Sequence, residues 1–319
     1  ESLIKSSVKN IVAFLNSEGG ILLIGVKDNG EISGIKDEME KSKSKDKFKL
    51  YFGDTVQQKI GPIYNTHVNY KILDLKSEIT QTFADIRDYK ALGTFDVIFH
   101  MAALPRIAPS FKNPREVFET NVQGTQNVLE YARVFNIPVI YAGSSSFWGG
   151  TYKNPYTFSK WQGEELCKMY ERIYDLPVTI CRFYNVYGDY MPTVGSYRTV
   201  LPIFLEQYKK DEPLTITGDG EQRRDFTHVD DIVDGMIRVM RAMFGEVDMF
   251  YHGAEFELGR GKNYSINEIA DMFGEDYPKE YIDTIKGEVR ETLCKDETTK
   301  ETLEWKPKIN LGDWINELK

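Results

Sequence analysis

The sequence predicts an α/β protein, with a doubly wound parallel sheet that lacks its usual first strand–helix–strand unit and follows an unrelated α+β segment. Three observations point there. From Phe95 onward, short apolar runs alternate with helical stretches, the pattern of a parallel sheet crossed by helices. Residues 1–74 have a different grammar, with a tight-turn signal at Asp28-Asn29-Gly30 that belongs to a hairpin. No glycine-rich strand-to-helix turn stands near the start, where the first crossover of such a sheet is expected.

The elements follow in order. Leu3 or Ile4, Val8, Ile11 or Val12, and Leu15 keep a helical period that Glu18-Gly19-Gly20 ends. Ile21-Leu22-Leu23-Ile24-Gly25-Val26 is a buried-strand pattern, and residues 31–35 read as its return strand. A lysine-rich stretch over 36–49 is a solvated helix or loop, 48–60 suit a second helix, and 67–72 another strand. In the second segment, strands are predicted over 95–100, 138–143 and 178–183, with helices through 121–129 and 156–170 between them. Residues 79–180 form the first part of this 75–319 region, and a smaller C-terminal α/β region is interleaved within 181–319.

With 319 residues, 41% of them hydrophobic, the chain can bury one large core or two modest ones. A net charge of −9 argues against a nucleic-acid footprint over the whole protein, while a local basic patch stays open. Cys167, Cys181 and Cys294 form no CxxC pair and the histidines no HExxH, so no metal site is expected and a reducing, cytoplasmic setting fits. No apolar run approaches the roughly 18 residues of a membrane span. No signal peptide is visible, and a start at Glu1 rather than Met is expected of a fragment or a trimmed chain.

The chemistry concentrates in Asn154-Pro155-Tyr156-Thr157-Phe158-Ser159-Lys160 and, upstream, Ser144-Ser145-Ser146. A phenol is a poor base, with a pKa of about 10. Lys160, four residues on, is one helical turn away, where an ammonium is expected to favour the phenolate. With a serine hydroxyl sharing the proton, such a group can deprotonate an alcohol while a nicotinamide accepts hydride from its carbon.

Two resemblances follow from longer strings. Residues 13–35, from Ala13-Phe14-Leu15-Asn16-Ser17-Glu18-Gly19-Gly20 through Asp28-Asn29-Gly30 to Gly34-Ile35, resemble the middle of a Schlafen-type AlbA_2 domain. That family is associated with nucleic-acid binding, which makes nucleic acid a candidate partner of residues 1–74. The family's opening Glu-Phe-Lys strand is absent, and no contact residue carries over.

Residues 79–319 resemble the extended short-chain dehydrogenase/reductase family, with its Rossmann-like sheet, and in particular the NAD-dependent nucleotide-sugar epimerases and dehydratases. Ala84-Asp85-Ile86-Arg87-Asp88 looks like the family's third-strand end, which implies Asp85 and Ile86 against adenine. His100-Met101-Ala102-Ala103 looks like its fourth-strand segment, which implies Ala102 and Ala103 along the cofactor, and Asn121 matches its helix asparagine. Tyr141-Ala142-Gly143-Ser144-Ser145-Ser146 sets the catalytic hydroxyl at Ser144, with Tyr156 as base and Lys160 also on the nicotinamide ribose. Ser145 and Ser146 stand where dehydratases carry an Asp-Glu pair, which favours epimerisation of a UDP-hexose type of substrate over dehydration. Arg182-Phe183-Tyr184-Asn185-Val186-Tyr187-Gly188 implies Asn185 on the diphosphate, and the stretch ending Arg223-Arg224-Asp225-Phe226-Thr227-His228 implies Arg224 there too, while His228 and Asp230 read as structural. Ile285 occupies the place of a further family arginine, and Lys286 or Arg290 is left to substitute. A homodimer through helices near 115–135 and 156–174 is the family's habit.

The GxxGxxG of the family is missing, and Asp74 lies only eleven residues before Asp85, too close for the usual intervening helix. Each lost charge-assisted bond to the pyrophosphate is worth roughly 1.5–3 kcal/mol, so weakened NAD binding is expected. Three explanations stay open for this junction: a natural fusion, two joined genes or an assembly artefact, or a first segment that fills the vacant place. Two other functions compete with the epimerase: a nucleic-acid-binding module on a non-catalytic scaffold, and a sugar-nucleotide binder without redox chemistry.

Overall fold

The computed structural model of the chain describes residues 22–24, 85–88, 95–195, 197–244, 253–284 and 287–319. In chain order the elements begin with β1 (Leu22–Ile24), β2 (Val97–His100), α1 (Ile107–Lys112), α2 (Pro114–Phe118), α3 (Thr125–Phe135), β3 (Val139–Ser144), α4 (Pro155–Tyr174) and β4 (Val178–Phe183). They continue with β5 (Asn185–Tyr187), α5 (Val200–Lys209), β6 (Leu214–Thr217), β7 (Arg223–His228), α6 (Val229–Met243), β8 (Glu255–Leu258), β9 (Asn263–Ser265), α7 (Ile266–Asp271), β10 (Lys279–Ile282), α8 (Thr298–Thr302) and α9 (Leu311–Leu318). The expected strands and helices of residues 95–183 are all present, with ends shifted by a few residues. The predicted helix, hairpin return, lysine-rich stretch and strand within residues 1–20 and 25–74 lie outside the described residues.

The main sheet runs β1-β2-β3-β4-β8. Parallel registers join β2 to β3 (Ile98 opposite Val139), β3 to β4 (Val139 opposite Val178) and β4 to β8 (Ile180 opposite Glu255). Alternation along the strands feeds two cores. Val97, Phe99, Ile140 and Phe183 pack with Met236 and Met240 of α6, whereas Ile98, Val139, Tyr141 and Ile180 pack with Leu129 of α3 and Cys167 of α4. Helices therefore cover both faces, as the apolar runs required.

The first segment does enter this sheet. β1 pairs with β2 antiparallel, Leu22 opposite Phe99 and Ile24 opposite Val97. β2 is fully buried, and without β1 its outer backbone edge would lack a partner. Of the three explanations for the junction, the structure supports a strand filling the vacant place. The direction matters, however: an antiparallel strand runs toward the amino ends of its neighbours, so it does not deliver a strand–turn–helix unit at the carboxyl edge where β2 and β3 end.

The α4 helix is well specified. Asn154 Oδ1 accepts the Thr157 N–H at 2.8 Å, Pro155 occupies the first turn, and Asp175 ends the helix in a left-handed conformation (φ 53°). Its middle lies close on β3: a Cβ on Gly163 would sit 2.1 Å from Tyr141 Oη. Tyr141 is fully buried and its ring has nowhere to retreat. Gly163→Ala is expected to lower unfolding free energy by about 1–3 kcal/mol, measured by urea denaturation.

The second unit joins sheets β5-β7-β9 and β6-β10 to a core around Leu201, Phe204, Leu214, Phe226 and Trp314. Buried carboxylates pin the C-terminal segments to it. Asp225 accepts the N–H groups of Arg260, Gly261 and Cys294 at 2.8–3.1 Å, and Asp231 those of Lys308 and Ile309 at 2.9 and 3.0 Å. His228 caps α6 by accepting the Asp230 N–H at 3.1 Å, a structural role for the His228 ring.

Candidate active site

Three elements deliver one constellation. β3 ends at Ser144, α4 brings Tyr156 and Lys160 in its first two turns, and a π-type turn over Glu119–Gly124 supplies Asn121. Tyr156 Oη donates to Ser144 Oγ at 3.3 Å, and Ser144 Oγ lies 2.9 Å from Ser146 Oγ. Asn121 is a brace. Its amide donates to Ser159 Oγ at 2.9 Å, and Ser159 Oγ donates to the Tyr156 carbonyl at 2.8 Å. The same side chain accepts the Leu104 N–H at 2.7 Å and donates to the Leu104 carbonyl at 3.1 Å.

The expected Lys160–Tyr156 partnership needs correction. Lys160 Nζ lies 4.2 Å from the centre of the Tyr141 ring, and among the described residues it has no hydrogen-bond acceptor. Burial pushes the Tyr156 phenol up rather than down; Ser144's hydrogen bond and the Arg106 guanidinium oppose that push, and Glu164 adds to it. The cation coupled to the phenol is thus Arg106, which sequence reasoning missed. Arg106 lies in a loop where neither period nor motif marks it, in a left-handed conformation (φ 87°, ψ 135°) that costs a non-glycine residue on the order of 1–3 kcal/mol.

Burial lowers the Lys160 ammonium to about 8 from 10.5, with Glu164 opposing the shift. A folded pKa below the unfolded one means that the unfolded chain binds more protons between those values, so stability rises with pH across that window. The burden amounts to about 3 kcal/mol below pH 8. Lys160→Met is expected to be more stable than the natural chain at neutral pH while losing activity. The stability difference should close from pH 8 toward 10.5 in urea titrations.

Behind the site, Arg182 is 3% exposed and bonds Glu164 at 2.8 Å and Glu257 at 3.0 Å, with Glu255 at 2.5 Å. Glu164 Oε1 also accepts the Ser144 N–H at 3.4 Å, so the cluster touches the catalytic strand end. Glu164, four residues beyond Lys160 on one helix face, was legible in the sequence and went unread.

The remaining expected residues sit apart from this network. Asp85 is exposed and its carboxylate binds Arg87. Ile86 packs its side chain into the core, with its carbonyl held by Asn127 Nδ2 at 2.8 Å. Asn185 Oδ1 accepts from Thr292 Oγ1 at 3.4 Å. Arg224 pairs with Glu288 at 2.7 Å, while exposed Arg290 turns to Asp219 at 2.7 Å and meets Arg224 only through its carbonyl. Lys286 lies outside the described residues.

The wall beside Lys160 suits the reacting half of a nicotinamide dinucleotide. Thr125 Oγ1 donates to the Asn121 carbonyl at 2.7 Å, so His100 donates to Thr125 from Nε2 at 2.9 Å. Its buried Nδ1 is then an acceptor with no partner among the described residues, and burial holds the ring neutral, with a pKa of about 3. That acceptor and the Lys160 ammonium, both set against the Tyr141 ring, leave polar atoms to be satisfied, and Ala102 and Ala103 follow just after the end of β2.

The profile of the NAD dependent epimerase/dehydratase family matches residues 66–250. The chain belongs to that family. As a member it is an NAD-dependent enzyme of the epimerase/dehydratase type. The Schlafen, AlbA_2 profile matches residues 2–85, overlapping the first match. A UDP-glucuronate 4-epimerase of Thermodesulfobacterium geofontis (strain OPF15) is 29% identical over 256 residues, 72% of this chain and 75% of that protein. An uncharacterized UDP-glucose epimerase of Bacillus subtilis (strain 168) is 30% identical over 238 residues, 69% of this chain and 72% of its own length. The crystal structure of UDP-glucuronic acid 4-epimerase from Bacillus cereus, in complex with UDP-glucuronic acid and NAD, is similar with a TM-score of 0.63 at 27% identity, over 70% of this chain and 76% of that one. Among the described residues, no helix of this family member is long and apolar enough to cross a membrane.

Proposed function

We propose that the chain is a nucleotide-sugar epimerase that inverts a hydroxyl-bearing carbon of a UDP-hexose or UDP-hexuronate. The observation that carries this reading is the 3.3 Å contact of Tyr156 Oη with Ser144 Oγ, with Lys160 buried one turn further along the same helix. Tyr156 takes the proton of the sugar hydroxyl and returns it after the ring has turned over. Ser144 hydrogen-bonds the same oxygen and keeps the phenol aimed. NAD, when bound, supplies the acceptor and donor of hydride at that carbon. Lys160, Ala102, Ala103 and the Asn121 brace form the wall for its nicotinamide ribose, and the Asp85-Ile86 turn is assigned to its adenine end.

On the substrate side, Arg224 and Asn185 hold the diphosphate. Glu288 sits on the Arg224 guanidinium, and a diphosphate would share or displace it. Arg290, paired with Asp219, has the weaker claim. The exposed Val134, Phe135, Ile173 and Tyr174 at the ends of α3 and α4 support a homodimer through those helices. Division at residue 74 into an AlbA_2-like part and an epimerase part belongs to this reading, the two profiles overlapping over residues 66–85, and nucleic-acid binding by the first part rests on the sequence alone.

Product analysis by NMR, with NAD and UDP-glucose or UDP-glucuronate, tests the reading; an inverted sugar is expected, and its absence with both substrates overturns it.

A further inference from the structure

Arg106 is used by none of these assignments, and three features set it apart. Its backbone holds a conformation that L side chains rarely adopt (φ 87°), at the start of α1. The loop is nevertheless fixed: Leu104, two residues earlier, is clamped through both its N–H and its carbonyl by Asn121, which is also tied through Ser159 to the Tyr156 carbonyl. One buried amide thus holds the Arg106 segment and the first turn of α4 in a common frame. The third feature is electrostatic. Arg106 Nε donates to the Tyr197 carbonyl at 3.1 Å, and among the described residues the half-buried guanidinium has no carboxylate. Arg182, Arg198, Arg223, Arg224 and Arg238 each have one.

We propose that Arg106 reads the charge of the sugar, selecting a nucleotide hexuronate whose carboxylate lies on the ring carbon next to the one whose hydroxyl meets Tyr156. This rests on the assignment of Tyr156 to the sugar hydroxyl made above. A guanidinium fork matches a carboxylate with two parallel hydrogen bonds. The Asn121 clamp sets the Arg106 segment beside the first turn of α4, which carries Tyr156 and so marks the reacting end of the sugar, whereas Arg224, on β7, is assigned to the diphosphate. A neutral hexose would leave this half-buried cation without a counter-charge, the situation in which a polar site discriminates most strongly.

The test is the ratio of affinities for UDP-glucuronate and UDP-glucose, measured calorimetrically on the full chain with NAD present. The natural chain is expected to favour UDP-glucuronate by about ten- to a hundredfold. Arg106→Gly removes the guanidinium at a backbone position that glycine prefers, so it should fold at least as stably and bring the ratio close to one, chiefly through lost UDP-glucuronate affinity. Arg106→Lys, which keeps charge without the fork, should fall between. Arg106→Gln, which keeps a hydrogen-bond donor for Tyr197, repeats the test if the glycine variant folds poorly. Equal affinities in the natural chain, or a preference that survives in Arg106→Gly, would overturn the proposal. Failure of the epimerisation reading shows up separately, as missing product.

Discussion

Tyr156→Phe is expected to abolish measurable inversion, lowering the rate by about 10²–10⁴-fold, while the protein stays folded. The substitution removes one atom whose only described hydrogen bond is the 3.3 Å contact with Ser144. A single long hydrogen bond of this kind contributes at most about 1 kcal/mol, so the melting temperature should move little. Ser144 keeps Ser146 as a partner, and Asn121 still braces the helix through Ser159. The rate loss therefore isolates the proton transfer from the frame around it. Steady-state kinetics together with a thermal melt check it, and an unchanged rate would remove Tyr156 from the chemistry.

Arg182→Met is expected to cost about 3–5 kcal/mol of stability. The guanidinium balances Glu164 and Glu257, buried at 1% and 5% exposure, together with the more open Glu255. Methionine fills much of the volume but leaves the two buried carboxylates facing each other without a counter-charge. Burial already raises the Glu164 carboxyl against the pull of Arg182, and losing that pull raises it further. A folded carboxyl pKa above the unfolded one means stability falls as pH rises through that window, so the deficit should be largest at neutral pH and shrink on acidification. Because Glu164 also accepts the Ser144 N–H, activity should fall along with stability. Arg182→Lys retains charge without the fork and should fall between. Urea denaturation at two pH values measures both effects.

The sheet was legible because each of its buried strands had to be an apolar run, and Val178–Phe183 was read with its observed ends. The Ser144–Tyr156 contact was legible for a related reason: one residue ends a strand and the other opens the following helix, so spacing and topology bring them together. The Lys160–Tyr156 partnership misled because sharing a helix face fixes where two side chains start, not where their ends go. The Lys160 stem runs inward and sets its ammonium over the Tyr141 ring. Arg106 and the clamps of Asn121 could not be read, since they depend on a loop brought beside α4 by long-range packing. The antiparallel pairing of β1 was equally hidden: an apolar run of strand length does not encode its direction.

The most direct test is the fate of the hydrogen on the carbon that inverts. A UDP-sugar deuterated there, converted by the full chain with NAD in ordinary water, should yield a product that retains its deuterium, because the hydrogen leaves as hydride and returns to the same carbon while Tyr156 handles only the hydroxyl proton. Loss of the label to solvent would mean that the carbon is deprotonated instead, and would contradict the role given to the Tyr156–Ser144 pair.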